Sequence, residues 1–455
     1  MRRLKPYVPA ISVFMLALLV RILYNVTIAA DYYPKFDAAI YDILGHNILN
    51  AHCFCYTPSH PTLFRPPLWP FIIAIIYFFF GEHNAYVRVF SSFLGSGTCL
   101  LVYFFARDLF GKRIGLVTGI IAALYTGLFI WDGWLYTETL YTFCLTAFTY
   151  ALYRLQQSAF SDDAAARKKP QRLSQPQWRW MVLSGIFLGL TALARPNGSL
   201  LVGLLCVWAA LVIFAKLIPW RAAIQSVLVI VVIALALNAP WLYRNYSVNH
   251  SIFQVSTIGT TLVGAYNDRV AHGDNVIAGM WLPPPGTINP DTHFYTLADE
   301  QADTGTALTW LRTHMSEVPA LLGLHVAHMW APYIYIHGLP FEEFPNRPSF
   351  WFMVVLIYIM SIPIFLLAAL GLFVTWKRGK QHLLVVYLVI AMTFALNIVF
   401  YGSPRFRAPI EPLLVLLTGG ALAWLKSRQS GRLFIMKEHD IIAKGLKAPI
   451  LFRAL

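Results

Sequence analysis

The sequence contains little charge and few cysteines. Only 12% of its 455 residues are Asp, Glu, Lys or Arg, whereas 58% are hydrophobic. Soluble domains are about one quarter charged. This composition therefore excludes an ordinary soluble protein and indicates a chain that crosses a membrane several times. Five cysteines say little about the redox compartment.

Acidic residues are fewer than basic ones, with 21 Asp and Glu against 35 Lys and Arg, for a formal charge of +14. Such a balance can indicate nucleic-acid binding. Here, however, the basic residues form short clusters between apolar runs, which is the pattern expected of cytoplasmic loops in a membrane protein. We therefore expect membrane lipids as partners and no nucleic acid.

The N-terminal stretch "MRRLKPYVPAISVFMLALLVRILYN" has the basic start and apolar middle of a signal peptide. Cleavage after "TIAA" is one interpretation. Because further apolar segments follow, we expect an uncleaved signal-anchor whose basic end stays in the cytoplasm. Recurring basic clusters on one side then predict that both termini are cytoplasmic.

Apolar runs predict an all-α bundle of about ten transmembrane helices. The predicted spans are 8–29, 86–106, 114–131, 138–154, 180–194, 199–215, 222–241, 350–375, 382–401 and 408–425. We divide the chain into an N-terminal module (1–241), an extracytoplasmic loop or lid (242–349), and C-terminal helices with a basic cytoplasmic tail (350–455).

The run "LWPFIIAIIYFFFG" (68–81) is short for a span. Counting it as one would place the basic "RDLFGKR" outside, against the charge rule. We therefore predict that 31–84 is one external loop whose helices lie in the membrane interface. A second amphipathic helix is expected near "EVPALLGLHVAHMWAPYIYI", within the 242–349 segment.

Several charged residues are predicted to lie on the outer side, where charge at membrane depth is costly unless it is paired or functional. Arginines there are not needed for orientation, so a cluster of them indicates an anion, and a lipid-linked phosphate suits this depth. The alternative is that each arginine is an interfacial anchor. The candidate phosphate-binding residues are Arg65, Arg195, Arg244, Arg405 and Arg407.

Asp37 and Asp42 lie in the helical pattern "FDAAIYDILGHNIL". Five residues of helix turn the chain by about 500°, so the two side chains point in nearly opposite directions. We predict that Asp37 is a general base, with a pKa raised by low dielectric and a neighbouring phosphate, and that Asp42 is structural. Tyr41, one turn after Asp37, either orients a sugar or packs.

Glu138, in "WLYTETLYTF", is a candidate second catalytic carboxylate, and its alternative is a helix-terminal acid. His325 and His328 share a helix face, which is more often a structural arrangement. The pair Cys53 and Cys55 is expected to be unbridged, with a metal pair or a local disulfide as alternatives. We predict no obligatory metal; a divalent ion stays an alternative.

The motifs "FDAAIYDILGHNIL", "FRPPLWPFIIAIIYFFFG", "LSGIFLGLTALARPNG" and "SPRFRAPIEPLLVLLTGGAL" resemble, in this order, those of the GT-C glycosyltransferases. The nearest group is family 39, with the protein O-mannosyltransferases and lipid A aminoarabinose transferases. The resemblance covers nearly the whole chain and is weakest over 265–350 and the tail. It implies a GT-C bundle and a polyprenyl-phosphate-linked sugar as donor.

The resemblance also implies site residues. Asp37 matches the acidic residue that the family carries in its first external loop, although "FDAA" lacks the Asp-Glu pair of many members. Glu138 matches the acid of the second loop, Arg65 the lysine that holds the lipid phosphate in aminoarabinose transferases, and Arg405 with Arg407 the basic pair near the last helices.

We therefore predict an inverting glycosyltransferase of the inner (cytoplasmic) membrane whose site faces the periplasm. The acceptor can be lipid A, another glycan, a glycolipid or a protein, and neither it nor the sugar follows from the sequence. A flippase for a lipid-linked sugar is an alternative, although the chain lacks the repeated halves of such transporters. A non-catalytic scaffold for cell-envelope assembly is another.

Overall fold

A computed structural model describes residues 7–57, 60–165, 175–249, 258–289, 295–334, 343, 346–379 and 381–430. These residues form a helical bundle with one short antiparallel ribbon, β1 (Cys55–Thr57) and β2 (His60–Pro61). The first nine helices are α1 (Val8–Val26), α2 (Phe36–Asn50), α3 (Leu68–Phe80), α4 (Asn84–Phe110), α5 (Lys112–Leu124), α6 (Thr126–Phe129), α7 (Glu138–Ala165), α8 (Gln175–Ala194) and α9 (Leu201–Phe214).

The second half of the chain continues the bundle and adds short helices outside it. Its helices are α10 (Trp220–Asn249), α11 (Ile258–Ala265), α12 (Asp268–Ala271), α13 (Leu297–Thr313), α14 (Val318–Trp330), α15 (Arg347–Gly379), α16 (Leu384–Val399), α17 (Pro404–Arg407) and α18 (Glu411–Gln429). Short 3₁₀ turns at Ile130–Gly133, Pro196–Leu200 and Ala408–Ile410 precede longer helices.

Six helices are long and apolar enough to cross a membrane, or seven if α5 and the segment Thr126–Gly133, bent by 58°, form one broken span. The chain is thus a multi-pass membrane protein, as predicted. The predicted count of about ten is not reached, because three expected spans fall short among the described residues. Of these, α16 has 16 residues, and α7 and α8 do not meet the combined length and hydropathy test.

The helix α7 explains why apolar content alone miscounts spans. Its first five turns are almost wholly buried between α4, α8 and the turn before α18. A helix surrounded by protein can carry threonine and tyrosine that a lipid-facing helix would not. Its sequence is accordingly less apolar than those of the peripheral helices.

One other boundary differs from the prediction. The span expected to end at 241 continues to Asn249, with Pro240 inside α10. A helix can pass a proline at the loss of one backbone hydrogen bond.

Two short helices agree with the prediction. Between α1 and α4, α2 and α3 pack on each other, and α3 has 13 residues, as expected of a helix too short to span. A helix also forms near "EVPALLGLHVAHMWAPYIYI", where it is α14.

One continuous hydrophobic core extends through the bundle and includes residues from α1 to α18. Four pairs of helices that pack extensively are α15 with α18, α7 with α8, α4 with α5 and α8 with α10. The segments that carry the candidate site residues lie at helix starts: Asp37 at the start of α2, Glu138 at the start of α7, and Arg405 in α17 just before α18. Helix packing therefore gathers these starts on one side of the bundle.

Candidate active site

Asp37 lies in the first turn of α2, where the helix dipole favours a negative charge. Its carboxylate is held by two arginines that are far apart in sequence. The Nη2 of Arg65 donates to Oδ1 at 2.8 Å, and the Nη2 of Arg405 lies 2.7 Å from Oδ2. The side chain of Asp37 remains 25% exposed, so a ligand can approach it.

Glu138 begins α7 and its side chain is fully buried. Its Oε1 accepts hydrogen bonds from both Arg195 and Arg405. Arg195 is fixed by a second bond, from its Nε to the hydroxyl of Thr137 at 3.0 Å. Glu138 is thus paired with two cations and anchors them.

Arg405 is the residue that joins the two carboxylates, since it contacts Asp37 and Glu138 at once. Its guanidinium lies 4.4 Å from the centre of the Tyr136 ring. The Ser403 side chain accepts from the Arg405 backbone N–H at 3.1 Å and caps α17. Because α17 is a single turn after proline, the position of this arginine is set by the backbone.

Arg65 approaches Asp37 from the loop before α3. Its guanidinium lies 5.4 Å from the centre of the Tyr41 ring and 5.2 Å from that of Phe64, and its side chain is 13% exposed. Tyr41 itself is buried, and burial raises the pKa of its hydroxyl. Tyr41 therefore packs beneath Arg65 and presents its ring to the cation.

We call Asp37, Glu138, Arg65, Arg195 and Arg405 the charged cluster. It brings together five of the eight candidate site residues and contains three positive and two negative groups, so its formal charge is +1. An excess of fixed, planar guanidinium groups suits an anion with several oxygens, such as a phosphate.

The predicted elevation of the Asp37 pKa is wrong for the structure as it stands. Burial by itself would raise the pKa of this carboxyl, but the charges of Arg65 and Arg405 outweigh burial and hold the pKa well below its usual range. The sequence shows no cation near Asp37, because both arginines arrive from other elements. The ionised carboxylate is strongly favoured while both arginines stay in contact.

Two predicted phosphate-binding arginines lie outside the charged cluster. Arg244 donates to the backbone carbonyls of Thr62, at 2.8 Å, and Phe54, at 3.2 Å, and so holds the β1–β2 ribbon. Arg407 is buried and pairs with Glu411. Both guanidinium groups are held by other elements of the protein, so the structure does not bring them to Asp37 and Glu138.

Other predicted features have structural partners. Asp42 accepts from the hydroxyl of Tyr77, on a different side of α2 from Asp37, as the helical rotation implies. His325 Nδ1 lies 2.8 Å from the Ile398 carbonyl oxygen, and His328 Nδ1 lies 3.3 Å from that of Gly279. Within the described ranges, no three His, Cys, Asp or Glu side chains form a metal-ligating group.

The expectation that Cys53 and Cys55 are unbridged is wrong, because the structure joins them in a disulfide. They flank Phe54, whose carbonyl accepts from Arg244. The Asn47 side chain bonds to the carbonyl of Cys55 at 2.8 Å. The bridge therefore belongs to the scaffold of the segment between α2 and α3, next to the ribbon.

The sequence analysis missed two features. Glu343, in "FEEFP", is buried beside Tyr136 and bonds to its hydroxyl at 2.9 Å. Arg21 and Asp132 form an ion pair inside the bundle. Both charges of that pair stand in apolar runs, "LVRIL" and "IWDGW", and an isolated charge within a span was the available signal.

Known proteins were compared with the chain by family, by sequence and by structure. The model of the family described as dolichyl-phosphate-mannose-protein mannosyltransferase matches residues 64–164, which include Arg65 and Glu138. A search of curated proteins by sequence finds no match.

Solved structures match over most of the chain. The Archaeoglobus fulgidus oligosaccharyltransferase AglB, in complex with an inhibitory peptide and a dolichol-phosphate, has a TM-score of 0.55 and 12% identity, covering 99% of this chain and 54% of its own. The apo oligosaccharyltransferase of that organism gives 0.53 and 14%, with 98% and 53% covered. The fold is that of the GT-C glycosyltransferases.

A third structure, ArnT from Cupriavidus metallidurans bound to undecaprenyl phosphate, has a TM-score of 0.46 and 14% identity, covering 94% of this chain and 79% of its own. The chain spans about half the length of the oligosaccharyltransferases it matches. The two oligosaccharyltransferase structures confirm the predicted GT-C resemblance for the fold alone.

Proposed function

We propose that the chain is a membrane glycosyltransferase that takes a sugar from a polyprenyl-phosphate carrier and transfers it, with inversion, to an acceptor. The observation that carries the proposal is the charged cluster, where three arginines outnumber two carboxylates on a GT-C fold. The family described as dolichyl-phosphate-mannose-protein mannosyltransferase, matched by residues 64–164, supports the donor class.

The donor phosphate competes with Asp37 for the arginines. A phosphodiester oxygen placed between Arg65 and Arg405 takes over the contacts that both make with Asp37. As the phosphate neutralises these cations, the pKa of the Asp37 carboxyl rises toward that of a useful base. Donor binding thus releases the carboxylate at the moment when the acceptor needs it, and we expect the donor to bind first.

The transfer step is a displacement at the anomeric carbon of the donor sugar. The acceptor hydroxyl gives its proton to Asp37 while its oxygen attacks the anomeric carbon of the sugar. The bond from that carbon to the phosphate oxygen breaks, and its electron pair leaves with the lipid phosphate. Arg65 and Arg405 stabilise the charge that develops on the phosphate. Glu138 holds Arg195 and Arg405 in place through its buried carboxylate.

We infer the orientation from the basic N-terminus, which favours the cytoplasmic side. The charged cluster begins after α1 and therefore faces the periplasm, in the inner membrane of a bacterial cell. The acceptor is a glycan, a lipid such as lipid A, a glycolipid or a protein.

The test is a transfer assay with Asp37→Asn in liposomes that contain a radiolabelled polyprenyl-phosphate hexose and an envelope extract as acceptor source. We expect transfer to fall by about 10²–10⁴-fold, the contribution of a positioned base. The matched control is Asp42→Asn, which removes a carboxylate from the same helix outside the cluster. Unchanged transfer in Asp37→Asn, or an equal loss in the control, contradicts the assignment and favours a flippase or a scaffold.

A further inference from the structure

Glu343 is a third carboxylate near the charged cluster. It is 3% exposed. Its Oε1 accepts from the hydroxyl of Tyr136 at 2.9 Å, and the Tyr136 ring lies 4.4 Å from the guanidinium of Arg405. One side chain therefore separates this carboxylate from the arginine that joins Asp37 and Glu138.

Two more groups lie close to this carboxylate and favour its ionised form, the Tyr32 hydroxyl and the Lys35 backbone N–H. The Tyr32 hydroxyl accepts the backbone N–H of Leu135 at 3.1 Å. The second carboxylate oxygen of Glu343, Oε2, is buried and has no hydrogen-bond partner among the described residues. The bond from Tyr136 is therefore the contact that holds this carboxylate.

The position of this donor in the chain is informative. Tyr136 lies two residues before Glu138, and its ring packs against the guanidinium of Arg405. Glu343 therefore fixes the side chain that packs on the arginine shared by both carboxylates of the cluster. Loss of this bond would let Tyr136 shift relative to Arg405.

We propose that Glu343 is a positioning residue that holds Tyr136 against Arg405 and whose charge opposes an anionic donor at Arg405. The nature of that anion rests on the proposed function. The cluster alone has a formal charge of +1, and an ionised Glu343 brings the sum to zero. A proton on Glu343 restores the positive excess that a phosphodiester requires.

The pH range follows from the surroundings of Glu343. Burial raises the pKa of its carboxyl to about 7, while the bond from Tyr136, the nearby Tyr32 hydroxyl and Lys35 backbone N–H, and the charge of Arg405 act in the opposite direction. Among the described residues, Tyr24 also interacts with it electrostatically. Because protonation and anion binding are linked, the affinity for the anion must fall as pH rises through about 7.

The first experiment measures the Kd of a polyprenyl methyl phosphate between pH 5.5 and 8.5. This phosphodiester keeps one negative charge over the range. For the wild-type protein we expect the Kd to rise about fivefold or more from the lowest to the highest pH. Glu343→Gln should bind with a Kd that does not change with pH, and Tyr136→Phe should move the midpoint to higher pH, because it removes a donor that favours the ionised form.

The control is Glu317→Gln, which removes a carboxylate of the external segment that pairs with His272 at 3.0 Å, and it should keep the wild-type profile. A pH dependence that persists in Glu343→Gln overturns the proposal and leaves the proposed function standing. A wild-type protein that does not bind the phosphodiester at any pH contradicts the proposed function instead.

If the wild-type protein does not bind the phosphodiester, a second measurement still tests the role of Glu343. Since its folded pKa is raised above the unfolded value, Glu343 stabilises the fold below about pH 4.5 and this contribution is lost as pH rises through about 7. The thermal midpoint of the ligand-free wild type should therefore fall over this range relative to Glu343→Gln. Parallel curves for the two proteins overturn the proposal.

Discussion

Two of the arginine–carboxylate assemblies among the described residues differ in their exposure and in their balance of charge. In the interior, the side chains of Arg21 and Asp132 are 0% and 1% exposed and face each other one to one. In the charged cluster, three arginines face two carboxylates, and Asp37 and Arg405 are 25% and 16% exposed. Both assemblies consist of guanidinium and carboxylate groups within a membrane protein.

Neighbouring protein groups also form hydrogen bonds with both members of the interior pair. Arg21 also donates to the carbonyls of Ala17 and Ala123, at 3.1 and 3.5 Å, and Thr139 donates to Asp132 at 2.6 Å. A Cβ at position 95 would overlap the pair, so Gly95 is needed to let it fit. Such a closed pair can stabilise the packing of α1 but offers nothing to a ligand.

The comparison shows that the presence of charge in a membrane bundle does not mark a binding site by itself. A site needs an excess of one sign, and it needs exposure. The charged cluster has both, whereas the interior pair has neither. Substitutions in each assembly can test this distinction.

Asp132→Ala should destabilise the protein by about 3–5 kcal/mol, because it leaves a buried arginine without its partner. Transfer per folded molecule should change less than tenfold. The measurement is the detergent-solubilised protein's unfolding midpoint, with transfer normalised to folded protein. The double variant Arg21→Met with Asp132→Leu serves as control and should recover most of the stability, since it removes both charges. If the double variant is as unstable as the single one, the pair does more than balance charge.

Arg405→Ala should show the opposite pattern, a loss of function with a smaller loss of stability. We expect kcat/KM to fall by about 10²–10³-fold, as when one group that stabilises transition-state charge is removed. Steady-state transfer kinetics measure it, and Arg107→Ala is the matched control, because Arg107 pairs only with its sequence neighbour Asp108 among the ion pairs of the described residues. A large unfolding penalty with normal kinetics in the folded fraction would place Arg405 in the structural class with Arg21.

The smallest effect concerns pH. Because Arg65 and Arg405 depress the pKa of Asp37, its contribution to stability is present above the unfolded pKa of about 4 and is lost as pH falls below it. The difference in thermal midpoint between the wild type and Asp37→Asn should therefore be constant from pH 5 to 8 and shrink in acid. A difference that already changes near pH 6 to 7 would show that the two arginines do not hold the carboxylate.

Much of the architecture could be predicted because it depends on local sequence. Hydropathy identifies the multi-pass bundle, and the 13 residues of α3 show that it is too short to span. The interior helix α7 could not be recognised as one, since its polar residues are explained only by the helices around it. The rotation between Asp37 and Asp42 was predictable because it is a property of one helix.

The site was predictable by residue type and less so by pairing. Proline-flanked Arg65 and Arg405 stood out as outward arginines, and both lie in the charged cluster. Their contacts with Asp37 join residues 28 and 368 positions apart, which no local pattern reveals. Arg244 and Arg407 carried the same sequence signal, but tertiary packing gives their hydrogen bonds to the protein itself.

The most direct test of the central claim is mass spectrometry of the lipid that co-purifies with the detergent-solubilised protein, in the wild type and in Arg405→Ala. We expect a polyprenyl-phosphate or its sugar conjugate in the wild type and its loss in the variant, because Arg405 contacts both carboxylates at the proposed phosphate site. The same phospholipids in both proteins, with no polyprenyl species in either, would contradict the assignment of the charged cluster as the donor site.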